Sequence, residues 1–71
     1  MNSKIRQKVG KLIREFRIQR KLTQEELSEK ADIDYKYLQR IESKNPPNLK
    51  LETIEKLAKA FKISPSKLLD F

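Results

Sequence analysis

Apolar residues recur every three to four positions along almost the whole chain, and no stretch alternates strictly between polar and apolar. That period belongs to helices with one buried face, not to strands. In the first segment Ile5, Val9, Leu12, Ile13 and Phe16 make one face of a helix running from about Ser3 or Lys4 to Arg20, with Ser3 as candidate N-cap. Lys4, Arg6, Lys8, Lys11 and Arg14 cover much of the remaining surface and read as a solvated face, with DNA contact as the alternative. Gly10 sits mid-helix, where it costs about 1 kcal/mol relative to alanine. Close packing would account for it, but the sequence does not say against what.

A second helix starts after Thr23 and ends near Lys30. Thr23-x-x-Glu26 has the spacing of a capping box, and Leu22 and Leu27 are placed for a hydrophobic staple. Asp32 lies where the chain must turn sharply, and aspartate tolerates positive φ better than most residues. Asp34 caps a third helix, about residues 35–43, with Leu38 and Ile41 inward and Ile33 packing from the turn. Asn45-Pro46-Pro47-Asn48 breaks the chain. A fourth helix places Leu51, Ile54, Leu57, Ala58 and Phe61 on one face. Lys50 is a poor cap for it, and Asn48 is expected to serve instead. Ser64-Pro65, a cap followed by proline, opens a short fifth helix containing Leu68 and Leu69. The pattern predicts one all-α domain over residues 1–71, a compact five-helix bundle.

Composition narrows the chemistry. A chain of 71 residues builds one modest core. With no cysteine and no histidine, it has no disulfide, cysteine-based metal site, thiol nucleophile or histidine base. No base-and-nucleophile constellation stands out, so neither an enzyme nor a metal or other cofactor is expected. No apolar run approaches the roughly 18 residues of a membrane span, and the first residues lack an apolar segment of signal-peptide type. A soluble cytoplasmic protein is expected. The net charge of +7 points to a polyanionic partner, because clustered cations release counterions from phosphate backbones; a solvated basic surface is the bland alternative.

Helices two and three, joined by a short turn, form a helix-turn-helix pattern, which on its own is weak evidence. The polar residues add to it. With Asp34 as cap, Tyr35, Lys36, Tyr37, Gln39 and Arg40 fall in the first two turns of the third helix, while Leu38 and Ile41 take its inner face. Side chains at the start of a recognition helix reach base edges in the major groove. Lysine and arginine suit guanine, and glutamine suits adenine. A tyrosine offers a hydroxyl to phosphate and a ring face to a thymine methyl. Either tyrosine has the alternative of packing against lysine or proline side chains, Tyr37 more readily than Tyr35.

The arrangement also carries a family resemblance. Leu22-Thr23-Gln24-Glu25-Glu26-Leu27, Lys30-Ala31 and Leu38-Gln39-Arg40-Ile41-Glu42 are followed by Thr53-Ile54-Glu55-Lys56-Leu57-Ala58-Lys59-Ala60-Phe61, Ile63-Ser64 and Leu68-Leu69. Over about residues 8–70 the chain resembles the phage-repressor/Cro-type helix-turn-helix domain, the xenobiotic-response-element family. The resemblance implies a lambda-repressor-like fold. It places Thr23 and Gln24 on DNA, with Gln24 on the backbone and supporting the recognition helix. It implies base-facing roles for Tyr35, Lys36 and Arg40, flanked by Tyr37 and Gln39. It pairs Arg17 with Glu42, tying the first helix to the end of the third, and sets Lys44, Asn45 and Lys50 along phosphates. Relatives usually carry glycine where Asp32 and Lys44 stand, so the path after the third helix is open.

The expected function is a sequence-specific regulator of transcription that binds double-stranded DNA as a homodimer on a near-palindromic operator. Ile63, Leu68, Leu69 and Phe71 are the expected dimer residues; alternatively Leu68 and Leu69 fold back onto Phe61 and Leu57 within one chain. A phage or mobile-element repressor, a restriction–modification controller and an antitoxin all fit, the small size favouring the first two. The rivals are a module whose basic face meets an acidic protein, and an RNA binder.

Overall fold

The structure, a computed structural model, describes residues 3–71. Its order is α1 (Ser3–Gln19), α2 (Gln24–Ala31), α3 (Tyr35–Ile41), α4 (Leu51–Phe61) and a 3₁₀ helix (Pro65–Leu69), with no strand among the described residues. The expected N-cap, the side chain of Ser3, lies outside the described residues. The fold is all-helical, but the fifth element is a 3₁₀ helix rather than an α-helix. Lys67 N–H donates to the Ser64 carbonyl at 3.0 Å, an i to i+3 bond, and a segment of five residues barely accommodates an α-helical ladder.

The helix ends are where local chemistry is most legible. The Thr23 hydroxyl accepts from the Glu26 N–H at 3.0 Å, and the Thr23 N–H donates to the Glu26 carboxylate at 2.8 Å, closing the capping box. Asp34 accepts from the Tyr37 N–H at 3.2 Å and starts α3. At the other ends, Lys21, Asp32 and Lys62 take left-handed φ of 56°, 56° and 60°. Each lets the next N–H reach back inside its helix: Leu22 to the Arg17 carbonyl, Ile33 to Ser28 and Ile63 to Ala58, at 3.1, 3.0 and 3.0 Å. The turn at Asp32 follows expectation; those at the two lysines carry no sequence signal. Lys50 precedes α4 without a side-chain cap, and Asn48 does not supply one. Its carbonyl instead accepts from the Tyr37 hydroxyl at 3.4 Å.

The core joins Val9 and Ile13 of α1, Leu27 and Ala31 of α2, Leu38 and Ile41 of α3, Ile54, Leu57, Ala58 and Phe61 of α4, and Leu68. Helix α2 packs on α3 and α4, and the 3₁₀ helix covers α4 and α1. Of the expected inward residues, Phe16 is half-buried against this core, Leu12 is half-buried, and two are exposed. Ile5 is 54 % exposed and Leu51 is 82 % exposed, each at the outer end of its helix where the bundle does not reach. Gly10 is explained by proximity: a Cβ there would strike the carbonyl oxygen of Ile41, at the end of α3. Pro46, from the break after α3, is buried beside it. No helix among the described residues is long and apolar enough to cross a membrane.

Candidate nucleic-acid interface

Leu38 and Ile41 are fully buried, which fixes the rotation of α3 and sends Tyr35, Lys36, Gln39 and Arg40 outward. The Gln39 amide donates to the Tyr35 hydroxyl at 3.1 Å, so these two form one polar patch a turn apart. Lys36 and Arg40 take part in no ion pair among the described residues, which leaves both charges available to a ligand. Tyr37 is the exception among the five predicted residues. It is half-buried against the core, and its hydroxyl is directed to Asn48. Its placement fits the packing role rather than an outward one.

Behind α3 stands a polar anchor. Arg17 donates to both oxygens of Glu42 at 2.9 and 2.8 Å, and to the Leu22 carbonyl at 2.8 Å. Gln24 donates to the same carboxylate at 3.1 Å. Arg17 is 14 % exposed and Glu42 3 %, so the pair is largely withdrawn from water. The hydrogen bonding to the Glu42 carboxylate holds the guanidinium above its ordinary pKa; burial opposes this, and the carboxylate charge adds to it. The anchor joins α1, the start of α2 and the end of α3. Gln24 thus ties the start of α2 to the end of α3 through a bond to Glu42 that sequence spacing alone did not reveal.

Thr23 precedes α2 and is exposed, and Lys44 and Asn45 are exposed in the segment after α3. That segment begins without glycine: the Ser43 hydroxyl donates to the Arg40 carbonyl at 2.7 Å, and Glu42 sits at φ −89°, ψ 1°. Gln7 donates to the Lys44 carbonyl at 3.0 Å and ties the segment to α1. Arg20 is spent on the fold. Its guanidinium lies 5.2 Å from the ring centroids of both Phe16 and Phe61 and donates to the carbonyls of both residues.

The residues expected at a dimer face divide. Leu68 is fully buried in the chain's own core, as the fold-back alternative expects of it but not of Leu69, and Ile63 is half-buried against that core. Leu69 and Phe71 are 48 % and 55 % exposed. Ile5 and Leu51, which the periodicity assigned to the core, share this end of the molecule: a groove is lined by Ile5, Leu51 and Leu69 together. Their signal was position at the first turn of a helix, where a side chain on the apolar stripe can overhang the core.

The helix-turn-helix family model matches residues 13–68. The chain is 35 % identical over its whole length to control protein C.BamHI of Bacillus amyloliquefaciens, covering 88 % of that protein. Its structure is similar to that of the restriction–modification controller protein C.AhdI from Aeromonas hydrophila, with a TM-score of 0.83 and 35 % identity over 89 % of this chain and 94 % of that one. It is also similar to a hypothetical transcription factor, NHTF, from Neisseria, with a TM-score of 0.86 and 32 % identity over 93 % of this chain and 75 % of that one. With its capped helix pair, outward polar helix and these relatives, the chain belongs to the Cro/C1-type helix-turn-helix family of DNA-binding transcription regulators.

Proposed function

We propose that this protein is a controller of restriction–modification genes that reads operator DNA in the major groove with α3, as a homodimer on a near-palindrome. The observation that carries the reading is α3 itself. Its apolar residues are buried, its polar ones stand outward, and the Arg17–Glu42–Gln24 anchor fixes it to two other helices. Lys36 and Arg40 suit guanine O6 and N7, Gln39 suits adenine, and the Tyr35 hydroxyl suits a phosphate. Thr23, Gln24, Lys44 and Asn45 hold the backbone on either side and set the register. One helix reads only a few base pairs, so two copies about 34 Å apart are needed for a full site. Leu69 and Phe71 supply apolar surface for that pairing.

In vitro selection of duplex DNA by the purified protein tests the whole reading. The expected result is a short motif with two-fold symmetry and half-sites one helical turn apart. Selection of no motif, or of single-stranded RNA over duplex DNA, overturns it. Preference for an acidic protein, with no salt-dependent DNA affinity, overturns it as well.

A further inference from the structure

The surplus of positive charge does not lie on the helix pair that reads DNA. From Gln24 to Ile41 the chain carries five carboxylates, Glu25, Glu26, Glu29, Asp32 and Asp34, against three cations, Lys30, Lys36 and Arg40. Helix α1 carries six cations, Lys4, Arg6, Lys8, Lys11, Arg14 and Arg17, against the single carboxylate of Glu15. A net-acidic reading unit gains little from a phosphate backbone as a whole, so affinity that does not depend on sequence has to come from another part of the surface. Three contacts fix which side of α1 meets the end of α3. Gln7 donates to the Lys44 carbonyl at 3.0 Å, Gly10 lies against the Ile41 carbonyl, and Arg17 holds Glu42 at 2.8 Å. Arg14 is four residues from Gly10 and three from Arg17, so it lies on this side, and it is exposed. Lys11 is exposed one turn from Gln7 and one turn from Arg14. Neither takes part in an ion pair among the described residues. With the exposed Lys44 they make a row of unneutralised cations beside the end of the recognition helix. Lys8 is placed differently, its ammonium 5.4 Å from the ring centroid of Phe71.

We propose that Arg14 and Lys11 hold DNA phosphates flanking the base pairs that α3 reads, continuing along α1 the backbone contacts of Lys44. The proposal rests on the major-groove reading above and gives α1 the sequence-independent share of the affinity. A row of exposed cations without a pocket fits a ligand that repeats its charge at intervals, as a phosphate backbone does. Arg14 adds a planar fork that can take two phosphate oxygens at once. The DNA covered by the protein is then longer than the motif it selects.

Titration of the whole chain with two selected duplexes over a range of salt concentrations tests it, one duplex trimmed to the motif and one extended by several base pairs on each side. Wild type should bind the extended duplex more tightly. Arg14→Gln and Lys11→Gln should each weaken binding to it by about three- to tenfold and lower the slope of log affinity against log salt by about 1. The double variant should bind both duplexes alike, and all should select the wild-type motif. Arg14→Lys should recover most of the loss, and Lys8→Gln should leave the slope unchanged. Both sites are exposed, so circular dichroism should show wild-type helicity throughout. If wild type selects a motif but the double variant keeps its affinity and salt slope on the extended duplex, α1 is a solvated face and the operator reading stands. A variant that selects a different motif overturns the phosphate role, because Arg14 or Lys11 would then be reading bases. A wild type that selects no motif and binds duplex DNA without salt dependence overturns the operator reading together with this one.

Discussion

At Glu42 a carboxylate that is 3 % exposed receives hydrogen bonds from Arg17 and Gln24. Removing it strands a guanidinium that has little water to turn to. Glu42→Ala should therefore cost about 2–3 kcal/mol in urea denaturation, more than a surface change, because a buried charge left alone is the expensive case. An Arg17→Ala and Glu42→Ala double-mutant cycle should show coupling above about 1 kcal/mol; zero coupling removes the pair as a stabilising unit. Glu42 raises the Arg17 pKa, so the stabilisation is complete below arginine's ordinary pKa and lost only as pH rises through the raised one. It is constant across the working range of pH. A second residue-scale effect runs the other way. Lys21 and Lys62 sit at φ of 56° and 60°, where an L side chain costs about 1–2 kcal/mol and glycine nothing. After glycine's greater unfolded-state entropy is subtracted, Lys21→Gly and Lys62→Gly should each raise stability by roughly 0.5–1 kcal/mol, read as a higher midpoint in denaturant.

Elements meet at Gly10, where α1 passes close to the last carbonyl of α3. Helix propensity alone predicts that Gly10→Ala stabilises by about 1 kcal/mol. The contact predicts the opposite, because the obstacle is backbone and the move that clears it shifts α3. We expect a net loss of about 1–3 kcal/mol and a weaker specific DNA complex, by thermal melting and titration. The recognition helix has its own test. Arg40→Ala and Lys36→Ala should each weaken specific binding by about 1–3 kcal/mol and relax base preference at defined positions. Lys44→Ala should weaken binding to all sequences alike and lower the salt dependence. An Arg40→Ala protein that selects the same motif with the same affinity would show that α3 is docked wrongly.

For the molecule as a whole, the distribution of apolar residues matters more than their number. Leu68 closes the core from below, while its neighbour Leu69 faces the groove beside Ile5 and Leu51. On the proposed homodimer, Leu69→Glu should leave the fold intact and reduce DNA affinity steeply, because it would disrupt pairing without touching DNA. Leu68→Ala should instead destabilise each copy by about 2–5 kcal/mol, as any fully buried leucine would. Comparing melting midpoints and sedimentation of the two variants separates these roles. If Leu69→Glu binds operator DNA as wild type does, that end of the chain has no part in assembly.

Much of this could be read from the residues in order. Caps and turns act within a few positions, so Thr23 with Glu26, Asp34 before α3 and the left-handed Asp32 are local facts that local chemistry decides. The apolar period likewise gives the helices and the outward set on α3, since burying Leu38 and Ile41 dictates where the others point. What the period does not contain is which end of an apolar stripe the rest of the chain covers. Ile5 and Leu51 obey the same spacing as Val9 and Ile54, yet they stand exposed because no other element lies over them. Long-range partners were equally silent: Gly10 against Ile41, Arg20 between Phe16 and Phe61, and Tyr37 reaching Asn48 depend on how helices cross. The sequence by itself determined the four α-helices, the side-chain caps at Thr23 and Asp34 and the outward polar face of α3. Only the tertiary structure decided which apolar residues are core and which stay exposed, because burial is a property of neighbours that meet in space.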